Sequence, residues 1–147
     1  MDCSDLNYLF SASFQPVING VAGNLVGVQA SRLSTDLHQG KKDSENMEML
    51  LLSLVVPGHL IFNGLLSMFN AGDDNESTNV IFTLLYLLAA LIQVGILLRF
   101  AGYLVNWLWN QKIDPDSAAI PYLTSLGDFL GGALLATAVY LEFYILN

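Results

Sequence analysis

A single carboxylate lies deep inside an apolar stretch near the end of the chain. Asp128 falls within the run from about Ile120 to Tyr144, in which Glu142 is the other charged residue. A charge at the centre of a membrane helix costs about 2.5–3.5 kcal/mol on insertion scales, so such residues usually face a polar path or a partner. We interpret Asp128 as a cation-binding residue. The alternative is a protonated carboxyl that hydrogen-bonds a neighbouring helix.

Small and polar residues accompany this carboxylate on two stretches of the chain. Gly127 and Gly131 are four residues apart, and Thr124 lies one turn before Asp128. The first apolar stretch has the same character, with Pro16, Asn19, Gly20, Gly23, Asn24, Gly27 and Gln29. Small residues at this spacing allow close helix packing, and by themselves they indicate packing more often than a pore. Joined to the amides and the carboxylate, they predict a narrow polar path lined by both stretches.

The chemistry of this predicted path suits a hard cation. It offers one carboxylate and several amide oxygens, without a cluster of His or Cys. Magnesium keeps several waters and takes one or two carboxylates, whereas calcium prefers six to eight oxygens. We therefore predict hydrated magnesium as the transported ion, held by the Asp128 carboxylate and amide oxygens, although sodium and protons are not excluded. No cofactor is predicted.

The elements that position these residues are predicted to be membrane helices. A spanning helix needs about 20 mostly apolar residues, and four stretches qualify, at about 14–33, 47–69, 80–105 and 120–144. Hydrophobic residues make up 54% of the chain and charged residues 12%, about half the charged fraction of soluble domains. We predict an all-α membrane protein in which residues 1–147 form one domain, surrounded by membrane lipid.

Composition and motifs exclude several classes of protein. The net charge of −8 argues against nucleic-acid binding, which needs clustered Lys and Arg. Cys3 is the single cysteine, so an internal disulfide or a cysteine zinc cluster is excluded. An intramembrane aspartyl protease would need a second deep aspartate and a glycine in place of Ser125. We predict that the protein is not an enzyme.

The basic residues predict one orientation. Arg32, Lys41, Lys42, Arg99 and Lys112 lie in or beside the first and third connections. The second connection, residues 70–79, carries Asp73, Asp74 and Glu76. Because cytoplasmic loops are enriched in Lys and Arg, both chain ends are predicted to lie outside. The outer loop contains the glycosylation sequon Asn75-Glu76-Ser77, which we expect to be rarely used because it lies close to the helices.

His59 offers a second titratable group in the membrane. It follows Pro57 and Gly58 in the second apolar stretch. A proton-sensing role is open to a histidine in this position. We favour a neutral histidine packed between helices, since intramembrane polar groups find partners there.

Two segments carry a family resemblance. Residues 16–35 follow the pattern P-x6-G-N-x4-Q and then A-S-R-L-S-T, and this segment resembles the signature helix of solute carrier family 41. The members of that family are eukaryotic relatives of the bacterial MgtE magnesium channels. Residues 120–128, Ile-Pro-Tyr-Leu-Thr-Ser-Leu-Gly-Asp, are similar to the start of the family's last pore helix. The resemblance covers nearly the whole chain after Phe14.

The resemblance implies magnesium transport through an MgtE-type transmembrane domain, at the plasma membrane. It places Asn24 and Asp128 on the two helices that line the path, and on this basis the two residues are the predicted metal ligands. The family's repeat has five helices, and two repeats form the path. This chain matches a second repeat without its first helix, so a truncated N-terminus and a partner are expected.

That partner is predicted to be a second copy, giving a homodimer, or another MgtE-like repeat. The alternative is a non-conducting subunit that pairs with full-length carriers and modulates them. Whether transport is channel-like or coupled to sodium stays open.

Overall fold

The computed structural model describes residues 3–40, 46–69 and 80–146. These residues form four helices, which are α1 (Cys3–His38), α2 (Asn46–Phe69), α3 (Val80–Asn110) and α4 (Pro115–Leu146). No strand occurs within these ranges, which confirms the predicted all-α class. Lys41, Lys42 and the acidic second connection with its sequon lie outside the described residues.

Three helices are longer than the predicted stretches. α1 begins at Cys3 and continues through Pro16, and α3 and α4 each extend five residues further toward the turn that joins them. At 1.5 Å per residue, the 31 residues of α3 span about 46 Å, which exceeds the bilayer's hydrocarbon thickness of about 30 Å. The helices are longer than predicted because hydropathy identifies only the apolar part of a helix, whereas the helical backbone hydrogen bonds continue into the polar residues at its ends.

The turn between α3 and α4 is fixed by backbone geometry. Lys112 has a φ of 60°, and the Ile113 N–H donates to the Leu108 carbonyl at 3.1 Å. This is the Schellman pattern that ends a helix, here with lysine at the left-handed position usually held by glycine. Asp114 then caps the start of α4, because its carboxylate accepts from the Asp116 N–H at 3.3 Å. Pro115 suits the first helical position.

The helices pack as an antiparallel bundle in which α2 is peripheral. α4 packs along both α1 and α3, whereas α2 contacts α1 and α3 but not α4 among the described residues. Large apolar side chains from α1 and α3 fill the centre, among them Ile18, Val26, Phe82, Tyr86, Val94 and Leu97. This arrangement leaves one face of α1 and α4 uncovered.

Three of the four helices, α2, α3 and α4, are long and apolar enough to cross a membrane. They expose large apolar side chains on their outer faces, including Leu54, Ile61, Leu84, Ile96 and Phe129. Such continuous apolar surface suits lipid rather than water. α1 does not reach the same apolar level because its central part carries Asn19, Asn24 and Gln29.

Candidate functional site

An open groove of about 750 Å³ runs between α1 and α4. Its walls are small and polar rather than bulky and apolar. The lining residues are Gln15, Pro16, Asn19, Gly20, Gly23, Asn24, Gly27, Val28, Ile120, Thr124 and Asp128. The structure thus brings together most of the residues that the sequence predicted to line a path, including both predicted metal ligands.

The groove forms because two rows of residues face each other with the helices antiparallel. Residues four apart lie on one face of a helix, so Gly23 and Gly27 form one row and Ile120 and Thr124 the other. A Cβ placed on Gly23 would lie 3.8 Å from the Thr124 methyl carbon. The Thr124 hydroxyl donates to its own helix, to the Ile120 carbonyl at 3.0 Å, so that it is the methyl group that approaches Gly23.

Two glycines keep the groove open. A Cβ added at Gly20 or at Gly27 would meet no atom within 4 Å. The space is therefore not consumed by tight helix packing at these positions. Close packing explains Gly23 in part, but it does not explain Gly20 or Gly27.

Asp128 is exposed to this groove. Among the described residues it has no hydrogen bond or ion pair. The amides of Gln15, Asn19 and Asn24 line the same space. In the described part of the chain, no three His, Cys, Asp or Glu residues lie close enough together to hold a metal ion. One carboxylate with amides suits a cation that keeps its waters.

A polar contact lies beyond one end of the groove. The Ser31 hydroxyl donates to the Asp116 carboxylate at 2.8 Å. Ser31 lies one turn after Gly27, and Asp116 lies one turn before Ile120, so the pair continues the two facing rows. Neither residue was predicted from the sequence to line the path. Extension of each row by four residues would have indicated them.

Three residues predicted to line the path lie outside the groove. Gln29 is fully buried, because about 100° of rotation per residue moves it from Val28 to the core side of α1. Gly127 faces α3, where a Cβ would lie 3.3 Å from Leu97 and where its carbonyl accepts from Gln93 Nε2 at 2.9 Å. Gly131 is buried against Asn19 and Gln93.

Three lining residues, Gln15, Val28 and Ile120, were not predicted to line the path. Gln15 was missed although it is polar, and Val28 and Ile120 were missed because they are apolar. All three could be found from position, since Gln15, Val28 and Ile120 lie four residues from the polar lining residues Asn19, Asn24 and Thr124, respectively. Helical spacing would have found them where residue type did not.

His59 lies in the core, away from the groove. It is fully buried on α2, and its Nδ1 lies 2.7 Å from the Val55 carbonyl. Its ring meets Tyr86 edge-on with centroids 5.2 Å apart. This geometry favours the packed, neutral histidine over a residue in contact with a transported ion.

The comparisons with known proteins agree with these features. The sequence profile of the MgtE family, described as divalent cation transporter, matches residues 15–138. Solute carrier family 41 member 2 of Xenopus laevis is 42% identical over 97% of this chain. Member 2 of Homo sapiens is 40% identical over 93% of it, and member 3 of Rattus norvegicus is 41% identical over 91%.

The chain covers only part of the length of each relative. It spans about a third or less of these relatives, covering 29% of the Xenopus protein, 27% of the human protein and 34% of the rat protein. No solved structure matches it. The apolar helices and the family together make it an integral membrane protein. On the profile match and these identities, the chain belongs to the MgtE family of divalent cation transporters.

Proposed function

We propose that the chain forms one half of a transmembrane path for divalent cations, chiefly magnesium, and that it acts as a transporter rather than an enzyme. The observation that carries this proposal is Asp128, a carboxylate without a partner among the described residues, exposed in a groove lined by glycines and amides. A carboxylate in the membrane is costly unless it faces water, a cation or another partner. A hydrated cation in the groove provides both water and opposite charge.

The path is completed by a second repeat that covers the open side of the groove. Phe129 and Tyr122, on either side of Asp128, are 72% and 65% exposed, and they supply apolar contact area for a partner. A partner related by symmetry adds a second carboxylate across the path. Two carboxylates then hold hydrated magnesium by electrostatics and by hydrogen bonds to its waters. The partner is a second copy of this chain or another MgtE-like repeat.

We further propose that both chain ends lie outside the cell, at the plasma membrane. Arg32, Arg99 and Lys112 support this orientation, because all three belong to the end of the bundle where α1 and α3 finish and α4 begins. Arg99 pairs with Glu48 at the start of α2, with 3.4 Å between Nε and Oε2. Under the positive-inside rule, that end is cytoplasmic.

Magnesium flux into liposomes that hold only the purified chain tests the proposal. The wild type is compared with Asp128→Ala and with Ser125→Ala, a matched control on α4 that is exposed but does not line the groove. We expect flux in the wild type and in Ser125→Ala, and its loss in Asp128→Ala. Equal flux in all three proteins would contradict a path through this groove.

A second function, in which the chain does not conduct and instead modulates full-length carriers, is favoured by one observation. The described helices of this chain leave the groove between α1 and α4 open on one side. If the correctly inserted wild type conducts nothing, co-expression with a full-length relative decides the matter. A change in the carrier's flux on co-expression would support the modulating subunit.

A further inference from the structure

A second carboxylate lies at the end of the groove between α1 and α4. The residues that line the groove end at Gly27 and Val28 on α1 and at Ile120 on α4. One turn further along both helices, the Ser31 hydroxyl donates to the Asp116 carboxylate at 2.8 Å. Asp116 therefore lies at the mouth through which an ion that follows the groove toward this end leaves it.

The position of Asp116 continues the spacing of the path residues on α4. Four residues follow one another at intervals of four, and these are Asp116, Ile120, Thr124 and Asp128. At 1.5 Å per residue, the two carboxylates are about 18 Å apart along the helix. The groove thus has one carboxylate within its length and another at its end. Several weak sites in succession allow an ion both to enter a path and to leave it.

The charge of Asp116 is not neutralised within the described part of the chain. There, the one partner of its carboxylate is Ser31, an uncharged side chain, which bonds to Oδ1. Arg32, the neighbour of Ser31, pairs along its own helix with Asp36 at 3.5 Å. An ion pair with α1 would give Asp116 a purely structural reason to be acidic, and no described residue forms one with it. Asp116 is also exposed, so its carboxylate is open to a hydrated cation.

We propose that Asp116 is a further cation-binding residue of the path, an inference that rests on the proposed function. The carboxylate attracts hydrated magnesium to the mouth of the groove and exchanges its bond to Ser31 for hydrogen bonds from the ion's water shell. Asp116 is in the first turn of α4, where the positive end of the helix dipole offsets part of its attraction for a cation. The mouth site therefore binds weakly, which suits the entry and release of ions.

A purely structural role for Asp116 predicts a different outcome. If Asp116 only bonds to Ser31 and stabilises the start of α4, Ser31→Ala and Asp116→Asn change ion binding alike, through the alignment of α1 and α4. If Asp116 binds cations, Ser31→Ala keeps the site because it keeps the carboxylate, whereas Asp116→Asn loses it. Asp114→Asn is the matched control. It removes an equal charge two residues away, from the carboxylate that caps α4, and asparagine caps a helix about as well as aspartate.

The test measures Mn²⁺ binding by electron paramagnetic resonance, with the full chain in nanodiscs of zwitterionic lipid and thermal unfolding recorded in parallel. Asp128→Asn is expected to remove the tighter class of bound Mn²⁺ and to leave a weaker one. In that background, Asp116→Asn should weaken the remaining binding about tenfold, the order expected when one unit charge near a hydrated divalent ion is removed. Ser31→Ala and Asp114→Asn should leave it unchanged. The effect of Asp116→Asn should shrink as monovalent salt rises, because exposed charges are screened.

The outcomes separate the mouth site from the proposed function. The mouth site is overturned, while the proposed function stands, by equal losses in Ser31→Ala and Asp116→Asn, or by the absence of a weaker class that depends on Asp116. Wild-type binding that is unchanged in Asp128→Asn overturns the path through the groove, and with it the role of Asp116 in that path. If Asp116→Asn does not fold, Asp116→Ala decides by the same criteria.

Discussion

Ser31 and Asp116 join α1 to α4 through a 2.8 Å hydrogen bond between residues 85 positions apart. The bond lies one turn beyond the groove residues Gly27 and Ile120. We call this Ser31–Asp116 pair the clasp, and it closes one end of the groove that small residues keep open. Asp116 is in the first turn of α4, where a negative charge is stabilised by the helix dipole. The pair contributes to the alignment of α1 and α4 along their length, and hence to which residues face each other across the groove.

Removing the clasp is expected to lower stability modestly. Ser31→Ala and Asp116→Asn should each reduce the free energy of unfolding by about 0.5–1.5 kcal/mol, the net value of one hydrogen bond, measured by thermal unfolding in detergent. Thr137→Ala is the control, since its hydroxyl bonds only to its own helix, to the Leu134 carbonyl. Losses that simply add in the double variant would show that the two residues do not interact in the protein.

Neutralising Asp128 is expected to separate transport from stability. Because Asp128 has no partner among the described residues, Asp128→Asn should leave the midpoint of thermal unfolding unchanged while magnesium flux falls at least tenfold. The measurement pairs proteoliposome flux with thermal unfolding of the same preparation. A clear fall in the unfolding midpoint would instead support the protonated, hydrogen-bonded carboxyl.

The sequence predicts the helices well where apolar runs coincide with helix ends. The runs at 47–69 and from Val80 onward give α2 and the start of α3 almost residue by residue. The remaining ends differ for a physical reason. Lys112 and Asp114 set the turn between α3 and α4 through backbone geometry, which hydropathy does not record.

The candidate site is predictable in part from residue type. Asn24, Asp128 and the glycines of α1 stand out because polar and small residues are unusual in a membrane segment. Gln29 stands out equally, yet it faces the core, because residue type does not fix the rotation of a helix about its axis. Gln93 and the clasp depend on how α1, α3 and α4 pack together, which the residue types along the sequence do not record.

Substitutions at Gly27 test whether magnesium flux requires an open groove. Since a Cβ there meets no atom within 4 Å, Gly27→Ala should keep flux, and it should gain about 0.5–1 kcal/mol of helix stability. Gly27→Phe should fill the groove and abolish flux. Gly64→Phe, at an exposed α2 glycine with open space around it, is the matched control. Undiminished flux in Gly27→Phe would place the path elsewhere.

His59→Phe tests the packing interpretation of the buried histidine. Phenylalanine keeps the edge-on ring contact with Tyr86 and removes the Nε2 atom, which has no hydrogen-bond partner among the described residues. We expect the free energy of unfolding to stay within about 1 kcal/mol of the wild type, with flux and its dependence on pH unchanged. Flux that loses its pH dependence in this variant would assign His59 a role in proton coupling.

The pairing of two copies across the groove is testable by cysteine cross-linking. Cys3→Ser gives a cysteine-free background, and Phe129→Cys then places a thiol beside Asp128, at a side chain 72% exposed. Because a disulfide needs Cα atoms within about 7 Å, only positions near the shared axis should cross-link. We expect an oxidised dimer for Phe129→Cys and a monomer for Leu54→Cys, a control on α2 that is 47% exposed. The reverse result would show that copies associate through α2, leaving the groove and Asp128 facing lipid or a different repeat.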